Sequence, residues 1–157
     1  MPFIHLTTFI AAPQQRVFDL SRSVSLHKAS MQHHEEKIID GTMSGLMNLD
    51  DTVTWTAKHL FKQRRLKIKI TKIQQPEFFV DEQVDGDFKM LKHEHYFKPI
   101  DNETIMIDQF HFETPKGIIG RLINSFYLEK YMTRLLQQRN KMIKEVAEGN
   151  LWKQYLS

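Results

Sequence analysis

The chain has 157 residues, 41% hydrophobic and 26% charged, with a net charge of +3 and no cysteine. These totals describe one globular domain over residues 1–157, exclude a disulfide framework and thiolate chemistry, and fit a reducing compartment, so the cytoplasm is the expected location. No apolar stretch approaches the roughly 20 residues of a membrane span, and the opening "MPFIHLTTFIAAP" lacks the basic region of a signal peptide.

Phe3 to Ile10 reads as a strand, and "AAPQQRVFDL" after it as a short helix, with Pro13 at its first turn and Val17, Phe18 and Leu20 as its apolar face. "VSLHKASM" is a second short helix, leading into "EEKIID" and a turn at Gly41. Alternating segments follow at Thr52 to Leu60, Arg64 to Gln74, Glu77 to Val84, Phe88 to Lys98 and Glu103 to Thr114, the pattern of an antiparallel meander. The basic run Lys62 to Lys72 alternates as well. Arg65, Lys67 and Lys69 point one way, and Leu66, Ile68 and Ile70 the other. That is a half-buried strand with a solvated face, and without stacking aromatics it predicts no nucleic-acid partner.

After "TPKG" the period changes. Ile119, Leu122, Ile123, Phe126, Leu128, Met132, Leu135, Leu136, Met142, Ile143 and Val146 recur at helical spacing up to a cap at Gly149. About 30 residues at 1.5 Å each make this the longest element, roughly 45 Å. The tail "LWKQYLS" is too short to be a domain. The order predicts an α+β domain whose antiparallel sheet curls around one long helix, with two short helices closing an open end.

The opening "FIHLTTFIAAPQQRVFDL" and the block "GDFKMLKHEHYFKPIDNETIMIDQFHFETPKGIIGRL" resemble the START-like superfamily, also called SRPBCC or helix-grip proteins. That family includes polyketide cyclases, lipid-transfer domains and the birch-pollen-allergen type. The second block is similar to a bacterial branch with a glycine before the strand, a His-x-His pair, a threonine and an aspartate in the next strand, and proline-x-glycine before the long helix. The resemblance runs from Phe3 to about Glu148. It implies a helix-grip fold, a curved sheet of about six or seven strands around the C-terminal helix, and a hydrophobic cavity between them.

In "LKHEHYF", strand period puts Leu91, His93, His95 and Phe97 on one face, the more apolar one. With Asp101 and Asn102 as the turn, Phe97 lies opposite Met106, His95 opposite Asp108, His93 opposite Phe110 and Leu91 opposite Phe112. A one-residue slip would set His93 opposite His111 and turn the next strand over. The apolar match favours the first register. In the neighbouring hairpin, a turn at Lys62 and Gln63 would set Trp55 opposite Ile70, Ala57 opposite Ile68 and His59 opposite Leu66.

Three uses of the histidines compete. A metal site needs a third ligand from Asp108, His111 or His59. Acid-base catalysis would use His95 with Asp108. The plainest reading is a buried polar pair, His95 with Asp108, in a cavity wall, and on it neither metal nor cofactor is expected. "HHEE", His33 to Glu36, fits no standard metal spacing. Tyr127 and Tyr131 can bring a hydroxyl to the pocket, although aromatics at that spacing more often serve packing, and Met43, Met47, Met90, Met106 and Met132 suit an adaptable wall, although most methionines are expected to be ordinary core.

The expected function is non-enzymatic binding or transport of a small hydrophobic molecule, lipid-like or polyketide-like. Trp55, His93, His95, Phe97, Asp108, Phe110, Phe112, Ile119, Ile123, Phe126 and Tyr127 are its expected ligand-binding residues. The alternatives are an enzyme of the cyclase or aromatase type using His95 and Asp108, and a homodimeric interaction module using a sheet edge or the "LWKQYL" tail with Trp152 and Leu156. An integral-membrane partner is not expected.

Overall fold

The computed structural model describes residues 3–31, 34, 36–59, 62–113 and 125–156. Strand β1 (Phe3–Ile10) is followed by helices α1 (Gln14–Ser21) and α2 (Val24–Ser30), and then by strands β2 (Lys37–Gly41), β3 (Thr52–His59), β4 (Lys62–Gln74), β5 (Phe78–Gly86), β6 (Met90–Ile100) and β7 (Glu103–Glu113). Helices α3 (Ser125–Glu148) and α4 (Trp152–Leu156) complete the described chain. The expected start of the long helix near Ile119 and the "TPKG" turn lie outside the described residues. No described helix is long and apolar enough to cross a membrane.

The strands form one seven-stranded antiparallel sheet in the order β1-β7-β6-β5-β4-β3-β2. The chain climbs from β2 to β7 by neighbouring hairpins, and β1 closes the far edge against β7. Irregularities in the β4–β5 ladder, at Lys67/Ile68 and Ile70/Lys72, bend these long strands. At the end of β2, Gly41 has φ +87°, and a Cβ there would sit 2.2 Å from the Thr52 carbonyl oxygen, so only glycine fits.

The β6–β7 hairpin has the register expected from the Asp101–Asn102 turn: Ile100 faces Glu103, Phe97 faces Met106, His95 faces Asp108, and Leu91 faces Phe112. The β3–β4 register differs from expectation. Trp55 faces Leu66, Ala57 faces Arg64, and His59 faces Lys62, a shift of four residues, because Lys62 and Gln63 pair with His59 and Lys58 in the ladder instead of forming a turn. Four is even, so Trp55, Ala57, Leu66, Ile68 and Ile70 keep their common inner face.

The period of α3 explains how it sits. Leu128, Met132 and Leu136 meet Ile4, Leu91, Phe110 and Phe112 in one apolar cluster. Ile143, Val146 and Ala147 meet Ile10, Val17, Phe18, Phe97 and Met106 in another. Between them, on the same stripe, lie the buried polar residues Arg139 and Asn140. Helices α1 and α2 cover the second cluster, and Ser23 caps α2 by accepting the Leu26 N–H at 3.2 Å. The tail folds back: the Arg16 guanidinium lies 4.0 Å over the Trp152 ring, and Tyr155 and Leu156 pack against the core.

Candidate functional site

A cavity of about 230 Å³ lies between the inner face of β3–β7 and helix α3, and α2 also contributes to its wall. Its apolar wall includes Val53, Trp55, Ile68, Ile70, Phe79, Leu91, Phe110, Leu128 and Leu136. Exposed Arg65 and Asp87 belong to the lining too, so the cavity meets solvent at the end where Arg64 bonds both the Asp87 carboxylate (2.9 Å) and the His59 carbonyl (2.9 Å).

Four polar residues converge on the interior of this wall, namely Asp81 from β5, His93 and His95 from β6, and Arg139 from α3. Asp108 of β7 stands behind them, 0% exposed. His93 donates from Nε2 to Asp108 Oδ1 at 2.7 Å, and His95 from Nε2 to Asp81 Oδ2 at 2.6 Å. Asp108 is held further by Arg139 Nη1 (3.3 Å) and by Asn140 Nδ2 on its other oxygen (2.7 Å). Arg139 Nη2 completes the network at 3.2 Å from His95 Nδ1. The rings are stacked in a column: Phe79 on His95 at 4.0 Å and His95 on His93 at 3.6 Å, with Phe110 edge-on to His93 at 5.2 Å.

Burial pushes the Asp108 carboxyl up, but the His93 hydrogen bond and the Arg139 guanidinium together outweigh it and hold this group well below the usual carboxylate range. His95 is held well below the ordinary imidazole range by burial, and then by the charges of His93 and Arg139. Near the open end, burial and then His34 and Arg64 push His59 down to about 4, and its Nδ1 lies 2.7 Å from the Tyr131 hydroxyl.

Of the residues expected to bind ligand, Trp55, His93, His95 and Phe110 line the cavity. Phe97 and Phe112 are buried in the two apolar clusters behind the wall, and Asp108 supports the wall without lining it. Ile119 and Ile123 lie outside the described residues. Phe126 and Tyr127 are 67% and 50% exposed and do not line the cavity, because the inward stripe of α3 runs through Leu128, Met132 and Leu136 and leaves them on the far side. Tyr131 does line it, as do Met47 and Met132, while Met106 is core and Met43 is exposed. The expected His95–Asp108 pair is cross-strand but not the principal hydrogen bond. His95 Nδ1 stands 3.6 Å from Asp108 Oδ1, and His93 takes the short bond instead. Of "HHEE", His33 and Glu35 lie outside the described residues, and Glu36 is buried on the cavity wall beside His27 at 3.2 Å.

Asp81, Arg139 and Asn140 do not figure among the sequence candidates. Arg139 leaves a legible mark, since it interrupts the stripe Leu128, Met132, Leu136, Ile143, Val146 at a position where an apolar residue belongs. Asp81 follows Phe79 by two, and so shares its inward face.

Asp81, His93 and His95 present ligand atoms within 4.8 Å of one another, a set of the kind that holds a divalent ion. His111 is taken up elsewhere, 3.3 Å from Glu94. The donor set fits a metal only in part. Arg139 can only donate, so His95 Nδ1 must be the lone pair and Nε2 the protonated nitrogen. A metal on Nε2 would drive a ring proton against the guanidinium.

No family model and no curated protein matches the sequence. Solved structures resemble the fold. The Zhui aromatase/cyclase of Streptomyces sp. R1128 aligns at TM-score 0.75 and 12% identity over 93% of each chain. A START superfamily protein from Mycobacterium smegmatis aligns at 0.71 and 11% identity, covering 93% of this chain and 97% of that one. The major latex-like protein 151 of Panax ginseng aligns at 0.67 and 12% identity, covering 94% and 97%. At these identities the likeness is one of backbone architecture.

Proposed function

We propose that this chain, which has the START-like helix-grip fold, is a single-domain cytoplasmic binder of a small hydrophobic molecule held between sheet and long helix. The observation that carries this reading is the cavity itself, an apolar wall onto which Asp81, His93, His95 and Arg139 converge. Most of the wall is built to exclude water. The buried polar groups give a ligand one oriented end, and a volume of about 230 Å³ suits a compact ring compound better than a long acyl chain. The aromatase/cyclase and START neighbours have the same architecture, which supports the reading without identifying a ligand.

Native mass spectrometry of protein isolated from its own host tests this, with denaturing extraction to identify any retained compound. The same spectra report whether the chain dimerises. In a Trp152→Phe background, 2-acetonaphthone should quench Trp55 fluorescence saturably. Absence of both a retained molecule and saturable quenching would end the proposal.

A second reading, proton transfer of the cyclase or aromatase type, is favoured by the His93–Asp108 pair. A carboxylate fixed by Arg139 and Asn140 orients an imidazole on the cavity wall, and this moves the role of base from His95 to His93. Deuterium exchange at the α-carbons of 2-tetralone, followed by NMR, should exceed the buffer rate and fall to it in His93→Gln. Exchange no faster than buffer in the wild type removes the enzyme reading.

A further inference from the structure

Arg139 settles the protonation of its neighbours. A guanidinium has only hydrogens to offer, so His95 Nδ1, 3.2 Å from Nη2, is a lone pair, and the single ring proton sits on Nε2, directed at Asp81 Oδ2. The same contact excludes a doubly protonated His95. Asp81 therefore receives a neutral hydrogen bond from this ring and no counter-charge.

The other groups packed around Asp81 do not supply one either. From α3, Arg139 is committed to Asp108 Oδ1 and to Asn140 Oδ1. From β7, Asp108 is a second negative charge. From β6, His93 gives its Nε2 proton to Asp108, and from α2, His27 lies 3.2 Å from Glu36. Arg139 and Asp108 cancel, and an ionised Asp81 would be the uncompensated charge of a wall otherwise built of Phe79, Leu91 and Phe110. Its side chain is only 12% exposed. Oδ2 is occupied as an acceptor, and among the described residues nothing hydrogen-bonds Oδ1, on a residue that lines the cavity.

We infer that Asp81 is held as a neutral carboxylic acid whose Oδ1 hydroxyl donates a hydrogen bond into the cavity, so that the site selects ligands carrying a carbonyl or phenolate oxygen. Burial raises the Asp81 pKa against the pull of His93, Arg139 and His27, and Asp108 adds to the rise. A buried acid kept neutral in an apolar site is a strong donor to an oxygen that carries or develops negative charge. The selectivity rests on the binding proposal above, whereas the protonation state does not.

The protonation is read on the free protein. Infrared difference spectra at pH 7 between wild type and Asp81→Asn should show a protonated-carboxyl C=O stretch that shifts in D2O and is lost in the variant. If the variant does not fold, ¹³C-aspartate NMR of the wild type should show one carboxyl still protonated at pH 7. A fully ionised set of aspartates in the working measurement overturns the inference. Selectivity is read with isosteric probes: 2-acetonaphthone should bind at least tenfold tighter than 2-ethylnaphthalene, and the preference should fall to about twofold in Asp81→Leu. Equal binding by the wild type, a preference for 1-(2-naphthyl)ethanol over the ketone, or an unchanged preference in Asp81→Leu overturns the selectivity. Failure of every probe to bind overturns the selectivity and, where the native spectra also show no retained molecule, the binding proposal with it; the infrared result still decides the protonation.

Discussion

His93 hydrogen-bonds Asp108 at 2.7 Å although the residue facing Asp108 across the β6–β7 ladder is His95. The converse holds on the other side. Asp81 faces His93 across the β5–β6 ladder and bonds His95 at 2.6 Å. Each histidine passes over the carboxylate opposite it and takes the diagonal one, while the two rings stack at 3.6 Å. The result is two carboxyl groups with different surroundings, one pinned by charge and one left in an apolar wall.

Arg139 compensates the buried Asp108. Arg139→Met should lower stability by about 3–5 kcal/mol, because it leaves a buried carboxylate without its cation. Urea denaturation at pH 7 checks this, and a loss under 1 kcal/mol would mean that His93 and Asn140 suffice.

Ala57 is buried on the cavity wall, so enlarging it fills space that is already empty. Ala57→Leu should change stability by less than about 1 kcal/mol, since no packed neighbour has to move far. It should weaken 2-acetonaphthone binding at least tenfold. Phe18→Ala is the contrasting case. Phe18 is fully buried and edge-on to Phe79 and Phe97 at 5.7 and 5.3 Å, and its loss should cost about 3–5 kcal/mol in the same denaturation assay.

The His59 imidazole is held at about 4, below its ordinary 6.5. Between those values the unfolded chain binds the proton and the folded chain does not. The stability that this group contributes is therefore present above about pH 6.5 and is lost as pH falls toward 4. Asp81, with its raised pKa, has the opposite dependence above the ordinary carboxylate range, which makes a comparison of variants necessary. Denaturation midpoints at pH 7 and pH 5 should fall less in His59→Gln than in wild type, and an equal fall would show that His59 is not depressed.

Trp152 is stacked beneath Arg16 and packed on the core of its own chain. Removing residues 150–157 should lower the melting temperature, with about 2 kcal/mol of the loss traceable to this ring. Light scattering should give the same number of chains per particle before and after. A change in that number would assign the tail to an interface.

The β6–β7 register is legible in the sequence because two independent cues agree there: the Asp101–Asn102 turn, and the match of Leu91 and Phe97 with Met106 and Phe112. In β3–β4 the cues conflict. Lys62 and Gln63 are polar enough to suggest a turn, yet they belong to the strand, and only the even size of the shift preserves the inner face. The composition of the polar cluster is less accessible, because it depends on side-chain torsions and on the docking of a helix distant in sequence. Alternation puts Asp81, His93 and His95 on one face. Nothing in it says that the short bonds run diagonally, or that a guanidinium from α3 chooses the histidine tautomer.

The chain closes on itself at its two ends. Glu148 accepts the Ala11 N–H at 2.8 Å, and Arg16 donates to the Ala147 carbonyl at 3.1 Å, across more than 130 residues of separation. Both contacts fix the C-terminal end of α3, one to the turn between β1 and α1 and one to α1 itself, so the helix that brings Arg139 and Asn140 to Asp108 is anchored at that end. Without α3, Asp108 would stand behind an open apolar trough without its cation. Helix α3 is both one wall of the cavity and the source of the cation that pairs with Asp108, so covering the trough and balancing that charge are one event.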